Sequence, residues 1–192
     1  MARLIYLMNT SLDGYISDRD GKFDWSIPTP EFYAAINELE RPIGTYLYGR
    51  HMYETMAVWE TAHLDAGGPA FTPGLLELEC EFAALWRAAD KIVFSTTLPR
   101  ASTARTRIDR AFDPDQIRRL KATSERDLTV GGPGLAAAMI AADLVDEFHA
   151  FVHPIIIGGG NPWLPQGLRI PLELAGERRL GVCVHLHYRR AS

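Results

Sequence analysis

The sequence has only two cysteines in 192 residues, Cys80 and Cys183, which are too few for a disulfide framework. It has no continuous apolar run of about 18 residues that would span a membrane. Polar residues 9–11 interrupt the N-terminal segment where a signal peptide stays apolar. The net charge is only −4, with basic residues scattered along the chain, whereas a nucleic-acid or membrane-surface binder needs a basic patch. These absences predict a soluble, cytoplasmic protein with reduced thiols.

The chain also lacks a linker rich in proline or serine, an internal repeat and any shift in composition. Its hydrophobic content of 47% is enough for one sizeable core. We therefore predict a single domain over residues 1–192.

A glycine-rich turn at residues 131–134 follows a short apolar run and precedes an alanine-rich helix of about three turns. Gly131, Gly132 and Gly134 have no Cβ, so the main chain bends freely there. The helix that follows directs unpaired N–H groups and the positive end of its dipole at the turn. This arrangement predicts an anion site of the kind that holds a phosphate.

Polar residues also follow the first apolar strand, residues 3–8. Residues 9–13 lie at its carboxyl end, where the side chains of a central strand line a ligand crevice. The alternative for Asp13 is an ordinary turn with the glycine that follows it. Residues 29–31 are a helix start with a hydroxyl cap and proline. Glu31 either complements the helix dipole at the surface or faces the pocket.

Two further strand ends carry polar groups. Gly49 and Arg50 lie where a strand passes directly into a helix, so a guanidinium would stand beside free N–H groups and suit a phosphate. The alternative is a surface ion pair between Arg50 and Glu54, four residues on. Ser95 and Thr96 end another strand, and hydroxyls at this place are often only turn formers.

The familiar nucleotide motifs do not explain this pattern. Residues 132–137 satisfy the G-x-G-x-x-A form of a dinucleotide fingerprint, but the next strand ends in His153 instead of an acidic residue. No glycine-rich stretch ends in Gly-Lys-Ser/Thr, which excludes a P-loop. We therefore expect a nucleotide held by several separate strand ends.

Histidines alternate on the predicted strand at residues 180–188, where Cys183, His185 and His187 face one way and valines the other. Two histidines two residues apart can bind zinc. The sequence places no third ligand beside them, so we predict a polar strand face and no metal site.

Several short motifs come in the order and near the spacing of the riboflavin-biosynthesis reductase domain, which belongs to the dihydrofolate reductase superfamily. They are SLDG at residues 11–14, YGR at 48–50, VFS at 93–95, VGG at 130–132, LVDE at 144–147 and PIIIG at 154–158. The chain looks most like the small stand-alone bacterial members, and the resemblance covers residues 3–188. It implies a three-layer α/β/α fold around a mixed, mainly parallel sheet of about eight strands with an antiparallel C-terminal edge.

The resemblance also implies that NADPH lies across the strand ends. The cofactor contacts it implies are Asn9, Ile16, Gly49, Arg50, Ser95, Thr96, Gly131, Gly132, Pro133 and Gly134. Within this set, Ser95 and Thr96 would lie by the adenosine ribose phosphate, Gly131 and Gly132 over the pyrophosphate, and residues 9–16 beside the nicotinamide. The family further suggests a homodimer.

The predicted reaction is hydride transfer from NADPH to a C=N or C=O carbon of a small heterocyclic substrate of the pyrimidine, pterin or ribityl type. Asp13, Glu31 or a bound water would supply the proton, and a carboxyl group whose pKa is raised by burial would suit this role. NADPH is preferred to NADH because a 2′-phosphate needs cations and donors such as Arg50. Two alternatives stay open: a nucleotide or flavin (FMN) binding protein without turnover, and a dihydrofolate reductase.

Overall fold

Short apolar strands alternate with amphipathic helices along the chain. The computed structural model describes residues 1–62, 72 and 74–191. Its strands are β1 (Leu4–Ser11), β2 (Tyr15–Ser17), β3 (Ile43–Gly49), β4 (Asp90–Phe94), β5 (Thr106–Asp109), β6 (Asp127–Gly131), β7 (Glu147–His153), β8 (Asn161–Pro162), β9 (Leu172–Leu180) and β10 (Cys183–Arg190). Its helices are α1 (Pro30–Glu40), α2 (Arg50–Met56), α3 (Leu76–Ala88), α4 (Pro114–Thr123) and α5 (Pro133–Ala141), with a 3-10 turn at Ala57–Glu60.

The main sheet has eight strands in the order β5-β4-β3-β6-β1-β7-β10-β9. All strands from β5 to β7 in this order are parallel, while β10 and β9 are antiparallel to their neighbours. Strand β1 lies at the centre, where Tyr6 is level with Val130 of β6 and Phe148 of β7. The predicted mixed sheet with an antiparallel C-terminal edge is confirmed.

Helices cover both faces of this sheet, which gives the predicted three layers. On one face α1, α2 and α3 bury residues such as Ile36, Tyr53 and Trp86 against the sheet. On the other face α4 and α5 bury Ile117 and Met139. The low side-chain bulk of the alanines in α5 lets this helix lie close to the strands.

Side chains cap the starts of α1 and α4, and the start of α3 differs from the prediction. Thr29 Oγ1 accepts a hydrogen bond from the Phe32 amide, as expected for the start of α1. A threonine followed by a proline at residues 72–73 predicts a helix start there, but α3 begins at Leu76. Gly74 has φ +83° and breaks a helical path before that point. The sequence also predicts a long loop over residues 58–71; its first residues lie in the 3-10 turn at Ala57–Glu60, and residues 63–71 and 73 lie outside the described residues.

The sequence at residues 172–174 predicts a short edge strand, whereas β9 extends over Leu172–Leu180. On β10 the histidine face is turned inward: His185 is 9% exposed, whereas Val184 is 40% exposed. The reason is that β10 pairs with β7, whose Phe151 ring stacks on the His185 ring with centroids 4.5 Å apart. Among the described residues no helix is long and apolar enough to cross a membrane.

Candidate active site

The carboxyl ends of β1, β3 and β6 border a cavity of about 890 Å³. These strands are neighbours in the parallel part of the sheet, so their ends meet at the same edge. Phe32 of α1, Met56 of α2 and Phe82 of α3 form apolar walls. The cavity thus combines apolar walls with main-chain and polar groups at the strand ends, which is typical of a small-molecule site.

Most of the residues expected to contact the cofactor line this one cavity. They are Asn9, Ile16, Gly49, Arg50, Gly131, Gly132, Pro133 and Gly134. Ser95, Thr96, Asp13 and Glu31 are not among the lining residues. Strand pairing alone therefore collects groups that are more than 100 residues apart in the sequence.

The glycine turn before α5 has distinct requirements at each position. A Cβ on Gly131 would lie 2.6 Å from Cε1 of Tyr48, and Gly132 has φ +92°. A Cβ on Gly134, by contrast, would meet none of the described atoms within 4 Å. No described side chain caps α5, so its first-turn N–H groups remain available to a ligand.

Arg50 forms the ion pair considered from the sequence and also lines the cavity. Its Nε donates to Glu54 Oε1 at 2.8 Å, which is the expected ion pair. Its Nη1 donates to Thr97 Oγ1 at 3.0 Å, and the residue also lines the cavity. These two contacts hold the guanidinium at the rim of the cavity.

Asn9 supplies a polar atom that lacks a partner. Its Oδ1 is buried and accepts no hydrogen bond from the described residues, although the side chain lines the cavity. A buried acceptor left unpaired costs free energy. A ligand N–H, such as that of a carboxamide or a heterocycle, would satisfy it.

Ser95 and Thr96 are placed differently from the lining residues. Ser95 Oγ accepts hydrogen bonds from the amides of Thr97 and Leu98 at 3.3 and 3.0 Å. The hydroxyl therefore closes the turn after β4, which is the turn-forming role of such residues. Thr96 is exposed, and Thr97 is the hydroxyl that reaches Arg50.

Neither expected proton donor has the environment that the role requires. Asp13 Oδ1 accepts from Ser11 Oγ at 2.6 Å and Oδ2 from the Gly158 amide at 2.8 Å. The hydrogen bond from Ser11 is the main cause that lowers the pKa of Asp13. This carboxylate therefore stays ionised and links the turn after β1 to the loop at residues 157–158. Glu31 is exposed in the first turn of α1, where it complements the helix dipole.

The carboxyl group with a raised pKa is instead Glu40, which lines the inner part of the cavity. Burial raises its pKa to about 7, and a hydrogen bond donated by Tyr46 Oη at 2.8 Å partly opposes this shift. The Tyr46 ring stacks on Tyr48 with centroids 5.5 Å apart. The Tyr48 hydroxyl in turn accepts from Trp86 Nε1 at 3.1 Å. These contacts fix the tyrosine that binds the Glu40 carboxyl group.

The position of Glu40 in the sequence indicates that its carboxyl group is buried. Glu40 follows Phe32 and Ile36 at intervals of four residues, so it continues the buried stripe of α1. A glutamate on such a stripe must lose its water, and its pKa rises as a result.

Comparison with known proteins shows the family of the chain. The family model described as the RibD C-terminal domain matches residues 2–186. Two uncharacterized proteins of Bacillus subtilis (strain 168) are similar: YyaP is 27% identical over 92% of this chain and 88% of its own length, and YwjB is 25% identical over 98% of both.

Solved structures share the fold. A protein from Shewanella sp. PV-4 provisionally assigned to riboflavin biosynthesis aligns over 100% of both chains with a TM-score of 0.71 and 22% identity. The deaminase and 5-amino-6-(5-phosphoribosylamino)uracil reductase of Thermotoga maritima aligns over 99% of this chain and 57% of its own, with a TM-score of 0.67 and 14% identity. The resemblance inferred from the sequence is confirmed.

Proposed function

Because the chain belongs to the RibD C-terminal domain family, we propose that it is an NADPH-dependent reductase of a small pyrimidine-type heterocycle. The observation that carries the proposal is the meeting of Asn9, Arg50 and the turn at residues 131–134 in one cavity. A dinucleotide needs such a set of contacts, because its rings, diphosphate and extra phosphate present different chemistry along one extended molecule.

The residues present fit this cofactor. The turn at Gly131 and Gly132 and the uncapped start of α5 suit the diphosphate, since main-chain amides approach closely where no Cβ intervenes. Arg50 suits the additional phosphate, and the unpaired Oδ1 of Asn9 suits the carboxamide of the nicotinamide. Bound NADPH would supply a hydride to the substrate ring.

Glu40 takes the role of proton source in this proposal. With a pKa of about 7, roughly half of the groups carry a proton at neutral pH, which is the balance that general acid catalysis favours. The bond from Tyr46 Oη fixes the carboxyl group. Activity should therefore fall as pH rises through about 7, because the acid loses its proton.

The test is NADPH oxidation followed by absorbance with a panel of aminopyrimidines and with dihydrofolate. We expect turnover with a pyrimidine. The fall in activity of the wild type above about pH 7 should be absent in Glu40→Gln. Arg50→Ala should weaken NADPH by at least about tenfold and NADH much less, since one charge-assisted bond is worth about 1.5–3 kcal/mol. Arg107→Ala is the matched control, because Arg107 forms its ion pair with Asp109 on β5.

Equal losses for NADPH and NADH in Arg50→Ala would contradict the phosphate contact. Turnover with dihydrofolate alone would make the protein a dihydrofolate reductase. The aromatic walls of the cavity, including Phe32 and Trp59, also suit a flavin ring, so thermal unfolding should be run with FMN as well. Stabilisation by FMN without any by NADPH would favour the binding protein without turnover. Light scattering on the same sample tests the proposed homodimer.

A further inference from the structure

Three potential metal ligands lie together on β7 and β10, and none of them lines the cavity. Glu147 and His149 are on β7, and His187 is the partner of His149 on β10. Glu147 Oε2 lies 3.2 Å from His187 Nε2 and 3.5 Å from His149 Nε2. One ligand atom from each residue falls within 4.8 Å of the others.

These distances match the requirements of a tetrahedral ion. Zinc binds imidazole nitrogen and carboxylate oxygen at about 2.0–2.2 Å, so two ligand atoms of one tetrahedral site are separated by about 3.3 Å. Both distances from Glu147 Oε2 lie close to that value. The sequence did not predict this site because it paired His187 with His185, whereas Glu147 and His149 come from a strand about 40 residues away.

The atoms that would not touch the metal are already engaged. His149 Nδ1 lies 2.9 Å from His185 Nε2, and Arg3 Nη1 donates to Glu147 Oε1 at 3.0 Å. When Nδ1 of His149 carries the shared proton, its Nε2 presents a lone pair to the site. Outer contacts of this kind orient metal ligands in proteins.

Glu147 supplies the carboxylate oxygen of the site. Its Oε1 accepts from Arg3, which also binds Asp127, so Oε2 is left to face the two histidines.

His187 is the ligand that can adjust. Its Nε2 is buried and lies 3.2 Å from Glu147 Oε2, without the alignment that a hydrogen bond requires. Its ring stacks on that of His149 with centroids 4.2 Å apart, so it must rotate to aim its lone pair at a shared ion. Gly176 is the position opposite on β9, and a Cβ there would meet none of the described atoms within 4 Å, which leaves space for this rotation.

We propose that Glu147, His149 and His187 bind a divalent transition metal, with zinc as the ion that the donor set fits best. The ion ties β7 to β10 at the antiparallel edge, and water completes the coordination. The site is separate from the reductase cavity and does not depend on the proposed reaction.

The test is calorimetric titration of the untagged, chelator-treated chain with ZnCl₂, together with the visible spectrum of the Co²⁺ form. We expect one equivalent of zinc, a tetrahedral Co²⁺ spectrum and a higher unfolding temperature with zinc. His187→Gln should weaken zinc binding by at least about tenfold and abolish the thermal shift. His51→Gln on α2 is the matched control, because this exposed histidine lies outside the site.

Wild-type protein that binds no zinc would overturn the proposal, as would equal affinities of wild type and His187→Gln. If His187→Gln does not fold, the Co²⁺ spectrum of the wild type decides. Octahedral bands, or bands lost at low competing chelator concentration, would then reject the site.

Discussion

Replacing Glu40 with glutamine should change how the free energy of unfolding depends on pH. The wild-type carboxyl group is buried and has a pKa of about 7, against an ordinary value of 4.5. Between these pH values the folded chain binds a proton that the unfolded chain releases, so the wild type loses stability as pH rises. Glutamine has no charge to bury and still accepts the Tyr46 hydrogen bond through its carbonyl oxygen.

The size of the effect follows from the shift. A rise from 4.5 to about 7 corresponds to about 3 kcal/mol at about 1.36 kcal/mol per pH unit. This loss is absent below pH 4.5 and complete somewhat above pH 7. The variant should therefore gain about 3 kcal/mol relative to wild type over that window.

Urea unfolding at half-unit steps from pH 4.5 to 8.5 measures the difference. Other titrating groups are shared by both proteins and cancel in the subtraction. Glu38→Gln on the same helix is the control, because Glu38 is 62% exposed; its difference from wild type should stay flat within about 0.5 kcal/mol. A Glu40→Gln curve parallel to wild type across this range would refute a buried, protonated Glu40.

Four further substitutions test the glycine turn and two sets of hydrogen bonds elsewhere in the fold. Gly131→Ala should lower the free energy of unfolding by about 1–3 kcal/mol, because its Cβ would lie 2.6 Å from Tyr48 Cε1. Gly134→Ala should keep the thermal stability of wild type yet weaken NADPH binding. Equal losses of stability in the two variants would contradict this difference. Lys91→Met should lower the free energy of unfolding in urea by roughly 1–3 kcal/mol, because the buried ammonium group donates to two carbonyls at the end of α3. An unchanged free energy of unfolding would mean that these hydrogen bonds contribute no net stability. Asp13→Ala should speed hydrogen exchange at the two amides that its carboxylate accepts from, and undiminished protection there would argue against the turn role.

Local features were predictable because they depend on neighbours in the sequence. The Thr29 cap, the glycine turn at residues 131–134 and the apolar strand β1 all follow from spacing within a few residues. The Arg50 and Glu54 pair is likewise an interaction over one helical turn. The motif order further indicated the family and hence the sheet.

What the sequence by itself determined is therefore the set of strand ends, their glycines and their polar groups. Only the tertiary structure decided that Asp13 bonds the loop at residues 157–158, that Glu40 lines the cavity, and that His149 meets His187. The physical reason is that burial and partner choice depend on which distant elements pack together. A carboxyl group changes its pKa, and a histidine gains fellow ligands, only when strands and helices from other parts of the chain enclose them.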